Sequence, residues 1–192
     1  MSKTRDKLIL ACEELALKKG RGFYNLSLEE LAKEAGVSKR TIYRYFGSKE
    51  ELFEATVEEV MDRVLARYME VLGSERDPRK AFLTIIKNIT YLINRQVIAD
   101  LANYYPLLWQ KINKLRQSKL ESLLDYTLSN SQVKLRWRVD PRIFKAAFFT
   151  AMTEVINPRF ILESGMPLEE VGLNFMEMFF FGAFELLPAE GD

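Results

Sequence analysis

Three serines, Ser27, Ser38 and Ser48, each stand where a helix has to begin, and they follow one another at intervals of only eleven and ten residues. Ser27-Leu28-Glu29-Glu30 and Ser48-Lys49-Glu50-Glu51 read as capping boxes, in which the hydroxyl accepts from the amide three residues on and the glutamate there reaches back. A chain punctuated this often has no room for a long helix. The spacing predicts two short helices, from Ser27 and from Ser38, then a third that runs on from Ser48 to about Leu72. Between the short pair, "AGVS" supplies a sharp turn, because Gly36 enters the left-handed region without steric penalty. Two short helices joined in this way form a helix-turn-helix, whose second member fits the major groove of DNA.

The rest of the chain also reads as helix, so the expected fold class is all-α. A first helix is expected from about Thr4 to Lys19, with Leu8, Ile9, Cys12, Leu15 and Ala16 inward and Gly20 and Gly22 closing it. Beyond a polar boundary at "GSERDP", helices are expected over roughly 78–95, 106–129, 140–164 and 167–187, with a short piece near 97–104. Asp140-Pro141 is a cap followed by proline at the first helical position, and Asn157-Pro158 should kink its helix. "VKLRWRVD" alternates only briefly and is read as a connector. The expected division is a DNA-binding domain over 1–47 and a larger helical domain over 48–192, joined by the helix from about 48 to 72.

Composition narrows the chemistry. Hydrophobic residues make up 48% and charged residues 29%, the balance of a packed protein. There is no histidine, which removes the commonest general base and most zinc sites, so neither an enzyme, a metal nor a cofactor is expected. The single cysteine, Cys12, falls in an apolar stripe and reads as a buried small hydrophobe. "LILAC" is too short for a signal peptide and no run is long enough to span a bilayer, so the cytoplasm is the expected location and a membrane is not an expected partner. Net charge is only +1, but residues 1–50 hold eleven Lys and Arg against seven Asp and Glu, and the remainder holds seventeen against twenty. Only the amino-terminal end is built to meet a polyanion.

On the helix from Ser38, Ile42 and Phe46 lie about 40° apart and mark the inward side. Lys39 and Tyr43 fall on one flank, Thr41 and Tyr45 on the other, and Arg40 and Arg44 face away from the core. This outward arc is basic and hydrogen-bonding throughout, which suits phosphates and base edges. Ser27, Ser38 and Ser48 add helix N-termini that favour a phosphate, with Lys49 beside the last.

"GFYNLSLEELAKEAGVSKRTIYRYFGSKEELF" resembles the DNA-binding signature of the TetR-type transcriptional regulators, through Gly22-Phe23, Ser27, Leu31-Ala32, Ala35 to Ser38, Tyr43, Phe46 and Ser48 to Leu52. Arg40 departs from the pattern, where many members carry a small residue. The resemblance covers about the first quarter of the chain. It implies that Lys39, Arg40, Thr41, Tyr43 and Tyr45 contact DNA from the recognition helix, while Ser27, Ser38 and Lys49 contact its backbone. It also implies a helical carboxy-terminal domain that dimerises and holds an effector, as in a ligand-released repressor bound to a palindromic operator.

The last helix, "VGLNFMEMFFFGAFELL", confines Asn174, Glu177 and Glu185 to an arc of roughly 80° and is otherwise apolar. In a chain this small a second copy is the expected cover, through Phe175, Met178, Phe179 and Gly182. Aromatic residues gather beyond position 90, and Tyr104, Tyr105, Trp109, Phe148 and Phe149 are the expected lining of a pocket for a lipophilic small molecule, with Asp100 or Glu154 pairing a cationic one. The alternative is an all-helical apolar-ligand carrier or protein-interaction module with no specific DNA binding.

Overall fold

The computed structural model describes residues 3–74, 95–129, 133–135, 139–155 and 157–186. The fold is all-α. Helix α1 (Lys3–Cys12) continues as a π-helical turn (Glu13–Lys18), and is followed by α2 (Leu28–Ala35), α3 (Lys39–Tyr45) and α4 (Lys49–Ser74). Then come α5 (Arg95–Tyr104), α6 (Pro106–Ser129), α7 (Pro141–Val155), α8 (Pro158–Ser164) and α9 (Leu168–Ala183). The helix expected over 78–95 and most of the "GSERDP" boundary lie outside the described residues.

Two compact units share the chain, the first from 3–63 with 95–116 and the second from the remaining described residues. In the first, α1 packs on α2 and α2 on α3 around Leu8, Cys12, Phe23, Leu26, Leu31, Ile42, Leu52 and Phe53, all buried. Phe23 and Phe53 lie with ring centroids 4.1 Å apart. Glu13, at the start of the π-helical turn, is a buried charge. Its carboxylate accepts from Arg63 on α4 and pairs with Lys18 at 3.3 Å, so the charge is not left uncompensated.

In the second unit Leu124, Phe144, Phe148, Phe175 and Met176 form one core. Phe148 meets Phe175 and Phe179 nearly edge-on at 5.3 and 5.2 Å. Tyr68 and Leu72 of α4 make a second cluster with Leu123 and Tyr126, and the Tyr68 and Thr127 hydroxyls lie 2.8 Å apart inside it.

Three sequence expectations are corrected here. Asn157-Pro158 does not kink one helix but separates two. Asn157 adopts extended backbone and its side chain accepts from Phe160 N at 2.8 Å, capping α8, with Pro158 in the first turn. The "VKLRWRVD" segment is more than a connector, since Val133–Leu135 pairs antiparallel with Phe184–Leu186 in register Val133↔Leu186. The last helix accordingly stops at Ala183 rather than continuing to 187. Three residues of alternation are too few to announce a strand when the partner lies fifty positions away.

Candidate nucleic-acid interface

The geometry of α2 and α3 follows from their caps. Ser27 Oγ accepts from Glu30 N at 3.2 Å, and Glu30 Oε2 takes Ser27 N and Ser27 Oγ–H, both at 2.9 Å. The Ser27 amide, the Arg21 guanidinium at 2.7 Å and the Ser27 hydroxyl hold the Glu30 carboxyl well below its ordinary range, at about 2. At the other end Gly36 sits at φ 66°, ψ 37°, and Val37 N closes the turn on Ala32 O at 2.9 Å. Ser38 then caps α3, its Oγ accepting from Thr41 N at 3.2 Å.

Ile42 and Phe46 anchor α3 in the core, and the opposite side carries Lys39, Arg40, Tyr43 and Arg44, all exposed. Tyr43 is 53% accessible despite its size. Thr41 and Tyr45 are half-buried on the flank, with the Arg44 guanidinium 5.2 Å from the Tyr45 ring centre. Of the five expected recognition-helix residues, Lys39, Arg40 and Tyr43 are thus exposed, and Thr41 and Tyr45 flank them.

The expected backbone contacts look different. Ser27 has its hydroxyl engaged both as donor and acceptor within the capping box. Lys49 is folded inward, donating to Tyr24 O at 3.3 Å over the Phe53 ring, and burial holds its ammonium below the ordinary lysine value. Lys39 is ion-paired with Glu29 of α2.

What sequence reasoning missed is the tie that holds the loop before α2. Asp100 of α5 is 1% accessible, and its Oδ2 accepts from the backbone amides of Phe23 and Tyr24 at 2.7 and 2.9 Å, while Oδ1 accepts from Gln96 at 2.7 Å. Gly22 sits at φ +73°, and a Cβ there would overlap that carboxylate. Asp100 is therefore consumed in tying α5 to the loop before α2, and the expectation that it pairs a cationic ligand is corrected. Tyr24 and Tyr104 stack at 3.7 Å beside the same junction. The paired glycines of "GRGF" were a legible sign of a tight loop, but nothing in the sequence said which acid would fill it.

Of the expected effector contacts, Tyr104, Tyr105 and Trp109 belong to the first unit, and Phe148 and Phe149 to the second. Tyr104 is exposed, Tyr105 meets Phe53 edge-on at 6.2 Å, and Trp109 is half-buried with the Arg116 guanidinium 5.9 Å from its ring centre. Burial pushes Arg116 down to about 10. One helical turn from Trp109, Asn113 Oδ1 is buried without a hydrogen-bond partner among the described residues. Phe148 is buried in the core of its unit, as is Phe175 of the expected dimer contacts, whereas Met178 is 61% accessible and Phe179 half-buried. The helix backbone includes Gly182, but side chains from 180 onward lie outside the described residues. Glu154 is exposed on α7. Among the described residues no cluster of three His, Cys, Asp or Glu is placed to hold a metal ion, and no helix is long and apolar enough to cross a membrane.

Residues 15–56 match the family described as bacterial regulatory proteins, tetR family. Over 181 residues the chain is 25% identical to the HTH-type transcriptional regulator YvaF of Bacillus subtilis (strain 168), covering 92% of this chain and 94% of that protein. Its fold is similar to that of the fatty acid degradation regulator FadR from Bacillus halodurans, with a TM-score of 0.61, 20% identity and coverage of 95% and 97%. It is likewise similar to FadR from Bacillus subtilis in complex with stearoyl-CoA, with a TM-score of 0.56, 20% identity and coverage of 90% and 96%.

Proposed function

We propose that this chain, a bacterial regulatory protein of the tetR family by its amino-terminal domain, is a cytoplasmic repressor that binds a palindromic operator as a homodimer and is released by a lipophilic small molecule. The observation that carries the DNA reading is α3, a capped helix pinned by Ile42 and Phe46 that turns Arg40, Tyr43 and Arg44 outward. Arginines there reach guanine edges or phosphates, and the tyrosine hydroxyl suits a phosphate oxygen. One helix of seven residues reads only a few base pairs, so two copies about one helical turn of DNA apart are needed for a site of useful length. The exposed Met178 supports an α9-centred pairing of copies.

Two observations support the effector reading. A similar fold holds stearoyl-CoA in the Bacillus subtilis FadR complex. Among the described residues Asn113 presents a buried acceptor with no donor, one helical turn from the half-buried Trp109, an arrangement that a ligand hydroxyl or amide would complete. Helices α4 and α6 each contribute residues to both compact units. A ligand that favours a state with poorly spaced reading heads lowers operator affinity by its differential affinity for the two states, typically ~1–3 kcal/mol.

The test is selection of duplexes from a randomised library by the purified protein, followed by binding measurements with and without long-chain acyl-CoA. Enrichment of an inverted repeat, and its release by the acyl compound, is the expected result. Enrichment of no sequence overturns the DNA reading. An enriched repeat that ignores lipophilic ligands overturns only the effector.

A further inference from the structure

Glu29 is an anomaly on a surface meant for DNA. It stands in the first turn of α2, exposed, and its carboxylate grips the ammonium of Lys39, the first residue of α3. The neighbouring acid, Glu30, is occupied by the capping box and Arg21, so Glu29 is the carboxylate that stays at the reading surface. The two side chains keep 46% and 66% accessibility for Lys39 and Glu29, so neither is needed to fill the core. The Lys39 contact also holds the Glu29 carboxyl below its ordinary value.

We propose that Glu29 and Lys39 act as one specificity-determining pair, reading a guanine and a neighbouring cytosine edge together and weakening binding to DNA that lacks them. The inference rests on the operator reading above. A free lysine meets any phosphate. A lysine already neutralised by Glu29 gains little from a phosphate, because the move leaves a bare carboxylate against a polyanion. In the major groove both charges are met at once. Guanine offers adjacent O6 and N7 acceptors to the ammonium, and a cytosine N4 amino group donates to the carboxylate. Glu29 thus subtracts from sequence-blind affinity while Lys39 adds to affinity for the right edge.

The experiment compares the full-length protein with Glu29→Gln, Lys39→Gln and the double variant. Duplexes selected from a randomised library by the wild type are measured by fluorescence anisotropy against a scrambled duplex of the same composition, between 50 and 200 mM KCl. Glu29→Gln is expected to bind the scrambled duplex about three- to tenfold more tightly, with the log–log salt slope steeper by about 0.9. It also loses the G·C preference at one position per half-site. The double variant then matches Lys39→Gln alone in base preference, and unchanged melting curves show that the exposed pair is not structural. Unchanged affinity for the scrambled duplex, or an unchanged base preference in Glu29→Gln, overturns the pair. A wild type that enriches no sequence overturns the operator reading on which it rests, and the two failures are told apart by that first step.

Discussion

At the residue scale the buried polar groups divide into those with partners and those without. Asp100 holds two backbone amides in a site with no room for a Gly22 side chain. Asp100→Asn removes the charge from both bonds and is expected to cost about 2 kcal/mol in urea unfolding. Gly22→Ala meets both the positive φ and the carboxylate and is expected to cost about as much or more. Asn113 is the opposite case, an acceptor already lacking a donor. Asn113→Leu should leave stability unchanged or raised, since no bond is lost, yet abolish the response to effector in the DNA-release assay. Burial pushes the Cys12 thiol up to about 12, against a modest opposing bond from Thr56. Native protein at pH 8 is therefore expected to resist a disulfide-exchange reagent that labels the unfolded chain fully.

Elements carry the reading surface. Helix α3 is far too short to persist alone, so its direction is set by Ser38 at one end and by Ile42 and Phe46 beneath it. Ser38→Ala is expected to cost about 1 kcal/mol of stability and to weaken operator binding, because fraying the first turn disperses Lys39 and Arg40. The start of α2 has its own pH signature. Glu30 is held at about 2 by the Ser27 amide and by Arg21, against an ordinary 4.5. A carboxyl lowered by folding stabilises above its unfolded value, and that contribution disappears as pH falls from about 4.5 through about 2. Acid unfolding followed by circular dichroism should therefore begin at lower pH for wild type than for Glu30→Gln, whose stability should change less steeply within that window.

For the whole molecule, charge is the quantity that matters. The basic excess lies within residues 1–50 and the acidic excess in the remainder, so a polyanion has one favourable end to approach. Operator affinity should fall steeply between 50 and 200 mM salt. Arg40→Ala should weaken selected and scrambled duplexes alike if it meets phosphate, with the slope shallower by about 1, or relax one base position if it meets guanine. Sedimentation should give a dimer, and Met178→Glu, on the exposed side of α9, should convert it to monomer without unfolding it.

Local rules determined much of this protein from its sequence alone. Serine caps, a left-handed glycine and the 3.6-residue period act within a turn or two, so α2, α3, the start of α4 and the outward arc of α3 were all legible in order along the chain. The break at Asn157-Pro158 was visible as a disturbance, though its outcome as two separate helices depended on the Asn157 side chain reaching Phe160 N. Only the tertiary structure decided the rest. Asp100 meets Phe23 across seventy-seven positions, Val133 pairs Leu186 across fifty-three, and Glu29 pairs with Lys39 across the helix-turn-helix. Such pairings are chosen by which elements pack together, and no periodicity within one element encodes its partner.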